Sequence, residues 1–282
     1  MSYGKSGAMI DRSKKTEKTY GFLWTRDDVS RPAEKWHFDS MQEVVDEPIV
    51  RGKIGIDVGS GCGFDSFIMA KNNPSVRIVS IDISDGVYTA KKLSSGLNNI
   101  DIIKTSILDI PLKGNIFDFA YSFGVLHHTA DPRRSLGEIA RILKKDSPVF
   151  LYLYEAHSDN IFKYTGIKIV SLLRLVTVKL PPRILYGLCW FFSPLIYLMF
   201  SLPAGILKRF KATRGLAGKI PFNFGKGIFS LRGDLYDRFS APIEYRFTKE
   251  GVIRFLKESG FLKIKITKLK DTAGWVAWGY KG

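Results

Sequence analysis

Between positions 54 and 66 the chain reads Ile-Gly-Ile-Asp-Val-Gly-Ser-Gly-Cys-Gly-Phe-Asp-Ser. An apolar run (Ile54, Ile56, Val58) meets glycines at every second position, Gly59, Gly61 and Gly63, with Ser60 among them. This pattern predicts a strand, a tight turn and a helix N-terminus. Lacking Cβ atoms, such a turn lets backbone amides approach a nucleotide-like ligand. A second apolar run, Val76 to Ile81, closes on Asp82 and then Ile83. A carboxylate at that point accepts both hydroxyls of a ribose. Dinucleotide fingerprints place glycines at relative positions one, three and six, but the sixth position here is Phe64. The spacing therefore argues against NAD and FAD.

The elements that must position these residues are legible as alternation. Five strand-like runs, Ile54–Val58, Val76–Ile81, Ile100–Lys104, Phe117–Phe123 and Val149–Tyr154, are separated by helical patterns. In one of these, Ser135 to Lys144, the residues Leu136, Ile139, Ala140 and Leu143 share a face. Alternation of this kind implies a doubly wound parallel sheet. After Glu155 it stops for about ninety residues and resumes with a helix (Thr248 to Ser259) and two more strands. The expected organisation is an N-terminal arm and helix over 1–50, an α/β core over 51–155, a helical insertion over 156–247 and a closing helix and strands over 248–282. The first fifty residues read as a loosely ordered arm followed by a helix from about Glu34 to Val45.

Taken together, Asp57, the glycine turn, Asp82 and the Phe117–Ser122 strand after the Pro111 loop resemble the class I S-adenosylmethionine-dependent methyltransferases. The resemblance is closest to the small-molecule branch that includes quinone-biosynthesis methyltransferases. It continues through Gly124-Val125-Leu126-His127-His128-Thr129-Ala130-Asp131-Pro132 and Arg141-Ile142-Leu143-Lys144. Tyr20-Gly21-Phe22-Leu23-Trp24 and Tyr245-Arg246-Phe247-Thr248 resemble the flanking segments of bacterial members. What the resemblance implies is a seven-stranded Rossmann-like methyltransferase fold binding S-adenosylmethionine through Asp57, Gly59, Ser60, Gly61, Gly63, Asp82 and Ile83. Ser122 and Phe123 would border the methionine end. One departure stands out. The family's acidic residue four positions before a Leu-Pro pair binds the adenine amino group, and here, before Ile110-Pro111, the position holds Ser106. A serine lacks the charge-assisted strength of a carboxylate, so the amide of Ile107 is an alternative adenine contact.

The candidate acid/base groups lie beyond the fourth and fifth strands, where ligands of such a sheet converge. His127 or His128 suits a general base, because histidine titrates near working pH. Capping the next helix, or packing beneath the cofactor, is the structural alternative. Glu155 is a further catalytic candidate, and Trp24, Tyr154, His157, Tyr245 and Arg246 are candidates to hold the acceptor. No metal ligand set is visible.

Charge is unevenly spread. The formal net charge is +16, of which residues 1–155 carry +1 and residues 156–282 carry +15. Between Asn160 and Gly233 there are twelve basic residues and no acidic one, and Ile184 to Leu207 is a run without any charge. That run is long enough to cross a bilayer, but Pro194 and Pro203 predict two short helices instead. The insertion reads as an apolar lid that either only packs over the domain or also touches membrane or a lipid-like substrate, its cations suiting an anionic surface. Two cysteines, Cys62 and Cys189, argue against a disulfide framework, and no apolar run of signal-peptide length opens the chain, so a cytoplasmic protein is expected, with peripheral membrane attachment as the alternative the insertion leaves open. The functional expectation is O-methylation of a sugar, glycolipid precursor or other lipid-associated metabolite. An RNA methyltransferase, suggested by charge alone, and a non-catalytic cofactor-binding protein are the rivals. Nucleic acid is not the expected partner, because the cations surround an apolar run rather than a polar groove.

Overall fold

The computed structural model describes residues 3–26, 37–220, 228–269 and 274–282. It divides into two compact units: Met1–Glu155 with Ile243–Gly282, and Ala156–Pro242.

The first unit begins with α1 (Tyr3–Trp24) and α2 (His37–Gln42), followed by β1 (Ile54–Val58), α3 (Phe64–Asn72), β2 (Arg77–Asp82), α4 (Gly86–Leu93), β3 (Ile100–Lys104) and β4 (Phe119–Phe123). A single 3₁₀ turn over Leu126–His128 leads to α5 (Pro132–Ile142) and β5 (Pro148–Tyr154). The second unit holds α6 (Ile161–Thr177), α7 (Pro182–Ile196), a π-helical turn (Tyr197–Ser201), α8 (Leu202–Arg209), the short α9 (Arg214–Ala217) and α10 (Ile228–Ser240). The chain returns to the first unit with α11 (Lys249–Glu258), β6 (Phe261–Lys268) and β7 (Gly274–Lys281).

The sheet has seven strands in the order β3-β2-β1-β4-β5-β7-β6. β1 to β5 pair in parallel, as the alternation predicted, and β7 is antiparallel to both neighbours. Strand order reverses at β1, which lies between β2 and β4, so a ligand crevice opens beyond the carboxyl ends of these strands. Alternate strand residues feed two apolar layers. On one face Ile56, Val58, Ile81, Ala120 and Leu151 pack with Leu136 and Ile139 of α5 and Val252 and Leu256 of α11. On the other, Ile78, Phe119, Tyr121 and Phe150 pack with Met69 of α3 and Phe38 and Met41 of α2. Helix starts follow local chemistry: Asp131 accepts from the Arg134 amide with Pro132 following it, and Thr248 accepts from the Gly251 amide.

Four sequence expectations change. The N-terminal arm is not loose, since Tyr3–Trp24 is one helix of 22 residues. Its polar composition gives no 3.6-residue apolar period to betray it. Of the helix expected over 34–45, residues 34–36 lie outside the described residues and His37–Gln42 is helical. The prolines do not divide the apolar run, because helix continues from Pro182 to Arg209, long and apolar enough by composition to cross a membrane. Pro194 leaves the Trp190 carbonyl without its backbone donor, and the Ser193 hydroxyl donates to that carbonyl instead at 3.0 Å. The π turn over 197–201 sits immediately before Pro203, where a wider ladder absorbs the second missing amide. The insertion also ends earlier than expected, at Pro242. Residues 243–247 belong with the sheet, where the Phe247 amide donates to the Tyr154 carbonyl at 2.9 Å.

Gly55 of β1 is a test of this packing. A Cβ there would lie 2.0 Å from the Phe119 ring. Gly55→Ala is expected to lower stability by about 1–3 kcal/mol, read as a fall in the urea midpoint of the sheet unit at unchanged slope.

Candidate active site

The turn after β1 is built by hydrogen bonds to the end of β2. The amides of Gly59 and Ser60 both donate to the Ile81 carbonyl, at 2.7 and 3.0 Å. The Gly61 amide donates to Asp82 Oδ2 at 2.9 Å, and Asp82 Oδ1 accepts from the Ser84 amide at 2.7 Å. This corrects the expectation that the turn bares its amides to a ligand, because three successive donors are already used. The glycines serve geometry instead. Gly59 has φ +81, and a Cβ on it would lie 2.3 Å from Val125. Gly61 has φ +56, and a Cβ on it would lie 3.0 Å from the indole of Trp24, which covers the turn from the end of α1. Cys62 is buried within the turn, and burial pushes its thiol up to about 12, so it is no nucleophile at neutral pH.

Asp82 keeps the capacity that a ribose requires. A carboxylate oxygen has two acceptor sites, and each oxygen of Asp82 accepts one amide, leaving one site apiece for a vicinal diol. Ile83 is exposed beside it. Ser106 Oγ accepts from the Leu108 amide at 3.2 Å, a local turn contact, and Ile107 packs against the core. Two expected cofactor residues are turned inward. Asp57 is buried and accepts from the Ser66 hydroxyl at 2.5 Å, and burial, then the Asp65 charge, pushes its carboxyl well above the usual carboxylate range. The Ser122 hydroxyl donates to the Val58 carbonyl at 2.7 Å, tying β4 to β1. Phe123 does border the carboxyl end of β4, stacked between His37 and Tyr152 with ring centroids 4.2 Å from each.

Beyond β4 the two histidines differ. His128 Nδ1 lies 2.7 Å from the Ile243 carbonyl. A carbonyl only accepts, so Nδ1 carries the proton and Nε2 presents a lone pair. His128 Nε2 and both ring nitrogens of His127 are buried without a hydrogen-bond partner among the described residues. Around them stand Tyr154, with its ring centroid 3.9 Å from His127, and Tyr20 of α1, 5.4 Å from His128. Burial, then the Arg246 charge, holds His127 well below its usual pKa, so it is neutral.

Glu155 and Arg246 are engaged in the frame around this pair. Glu155 is buried and ion-paired to Lys268 at 2.5 Å. Arg246 pairs with Glu244 at 2.7 Å, donates to the Glu155 carbonyl at 3.1 Å and lies over the Tyr154 ring. The Tyr245 amide donates to the His127 carbonyl at 2.9 Å while its ring is exposed. His157 belongs to the second unit and has φ +52. His37 and Tyr152 are site residues that the sequence does not single out. Neither lies in a motif, and only the fold brings their rings to Phe123.

Residues 56–151 match the protein family described as a methyltransferase domain. These residues form a methyltransferase domain. The chain is similar to a rice chloroplastic 2-methyl-6-phytyl-1,4-hydroquinone methyltransferase, 29% identical over 43% of this chain and 34% of that protein. It is also similar to a yeast tRNA (carboxymethyluridine(34)-5-O)-methyltransferase, 35% identical over 33% of this chain and 32% of that one. The chain thus spans about a third of the length of these curated relatives. In fold it resembles a Nostoc punctiforme protein provisionally assigned as an O-methyltransferase, at 17% identity and a TM-score of 0.50, covering 86% of this chain and 55% of the other. The matched region of the methyltransferase domain holds the turn, Asp82 and both histidines. It excludes Trp24, His37 and the 243–247 segment.

Two measurements follow. Asp82→Ala is expected to weaken S-adenosylmethionine binding by about 10- to 100-fold in calorimetry, the value of one or two hydrogen bonds to a charged group. For His127 the folded pKa lies below the unfolded one, so its contribution to stability is present above about pH 6.5 and is lost as pH falls below it. The difference in unfolding free energy between wild type and His127→Leu should therefore change between neutral pH and about pH 5, with wild type losing more.

Proposed function

We propose that this chain transfers a methyl group from S-adenosylmethionine to a hydroxyl oxygen of a small, lipid-associated acceptor, such as a glycolipid precursor or sugar, with His128 as general base. The observation that carries this reading is the fixed tautomer of His128. Its Nδ1 proton is committed to the Ile243 carbonyl, and its Nε2 lone pair is buried and unpartnered at the carboxyl end of β4. The cofactor, when bound, supplies an electrophilic sulfonium methyl that needs no further activation. The protein must then align the acceptor and remove one proton. A hydroxyl donating to Nε2 would give up that proton as its oxygen takes the methyl carbon, the methyl–sulfur bond breaking with its electron pair left on sulfur as a neutral thioether, and the Ile243 carbonyl would stabilise the imidazolium on His128. Asp82 would hold the ribose, with Trp24 covering the turn. The rings of Tyr20, His127 and Tyr154 exclude water from the base. Oxygen is favoured over carbon or nitrogen because a neutral hydroxyl is the acceptor that most needs such a base. The lipid-associated class is supported by the apolar, basic insertion rather than by the catalytic residues.

RNA as acceptor is a second reading, motivated by the similarity to a tRNA methyltransferase and by the basic second unit. It predicts a labelled-RNA shift that weakens steeply with salt. The first reading predicts transfer of radiolabelled methyl to a lipid or carbohydrate fraction. On that substrate, His128→Gln is expected to lower kcat by about 10²- to 10⁴-fold while cofactor affinity stays unchanged. Unchanged turnover in this variant would remove His128 as the base.

A further inference from the structure

The second unit is built inside out. Along the continuous helix Pro182–Arg209, the side chains Ile184, Leu188, Phe191, Leu195, Leu198, Leu202 and Ile206 recur every three or four residues and form one stripe. Each is between 39% and 68% exposed. Apart from Leu185, the buried positions of the same helix are smaller or more polar: Tyr186, Cys189, Ser193, Ser201 and Ala204. α6 repeats the pattern. None of its residues is buried, and Leu172, Leu175 and Val176 are each about two-thirds exposed. A helix packed in water turns its large apolar side chains inward and its polar ones outward. Helices surrounded by hydrocarbon do the reverse, with small residues at helix contacts and large apolar ones facing the chains.

We infer that the second unit seats this apolar stripe and the exposed face of α6 in one leaflet of an anionic membrane. Charge selects the occupant. The unit carries no acidic residue from Asn160 to Gly233, and cations bracket both helices: Lys179 and Arg183 before the stripe, Lys208, Arg209 and Lys211 after it. That arrangement places ammonium and guanidinium groups at headgroup depth on either side of an uncharged run. Topology sets the depth. β5 before this unit and β7 after it are neighbours in one sheet, so the chain leaves and returns on the same side of any membrane. Embedding in one leaflet satisfies this, whereas a single crossing does not. A second copy of the chain would bury the stripe without any use for the cations.

Vesicle binding reads this without any methyl transfer, so it stands apart from the catalytic reading. The full chain is sedimented with phosphatidylcholine vesicles and with vesicles containing about 30% phosphatidylglycerol. Binding at least about tenfold tighter to the anionic vesicles is expected. The double variant Phe191→Glu with Leu195→Glu should lose about tenfold or more while keeping its circular dichroism and cofactor affinity. Lipids with brominated chains should quench tryptophan emission, and Trp190→Phe should reduce that quenching. The inference is overturned if the chain stays in the supernatant with both vesicle types, or if the glutamate variant binds as well as wild type. It is equally overturned if light scattering shows a stable dimer that the variant dissociates and that ignores vesicles.

Discussion

The site depends on how the end of β2 holds the turn after β1. Two amides fold onto the Ile81 carbonyl and a third onto Asp82. Each bond requires the backbone to double back within a residue or two, and positive φ at Gly59 and Gly61 is the consequence. The same bonds fix the Asp82 carboxylate by two amides while leaving half of its acceptor capacity open. Pre-organisation of this kind lowers the ordering cost of binding a diol. It also explains why the glycines and the acidic residue arise together: without the carboxylate the Gly61 amide loses its acceptor, and without the glycine the turn cannot reach it.

How much of this was legible in the sequence follows from what each signal encodes. Strand and helix alternation encodes the parallel sheet, because burial on two faces makes each strand apolar. The glycine spacing encodes the turn, because few other residues accept its dihedrals. Side-chain direction is not encoded in this way. Asp57 and Ser122 lie in the right strands, yet they point into the sheet's own hydrogen bonds, to Ser66 and to the Val58 carbonyl. Glu155 sits where a base would be useful, but Lys268 from β6, more than a hundred residues on, neutralises it. His37 could be found only by folding the chain, since its ring stacks on Phe123 from a helix outside any motif.

Proline rules failed for a local reason. The expectation of two helices treated each proline as a lost backbone bond with nothing in its place. Here the residue before Pro194 is a serine whose hydroxyl reaches back to the orphaned carbonyl, and a π turn precedes Pro203. Serine hydroxyls and local π adjustments are also the means by which helices in hydrocarbon accommodate proline, where water cannot satisfy a free carbonyl. The long uncharged helix and its inverted burial thus share one physical logic.

The return segment after the second unit bears directly on the acid/base pair. Within five residues, the Ile243 carbonyl accepts the His128 Nδ1 proton, the Tyr245 amide donates to the His127 carbonyl, and the Phe247 amide donates to the Tyr154 carbonyl. The next residue in the chain before Ile243 is Pro242, the last of the second unit. The tautomer that exposes the lone pair of Nε2 is therefore set by a backbone carbonyl one peptide bond from the insertion. A displacement of this segment that breaks the Ile243 contact removes the preference for protonated Nδ1, and with it the basic Nε2.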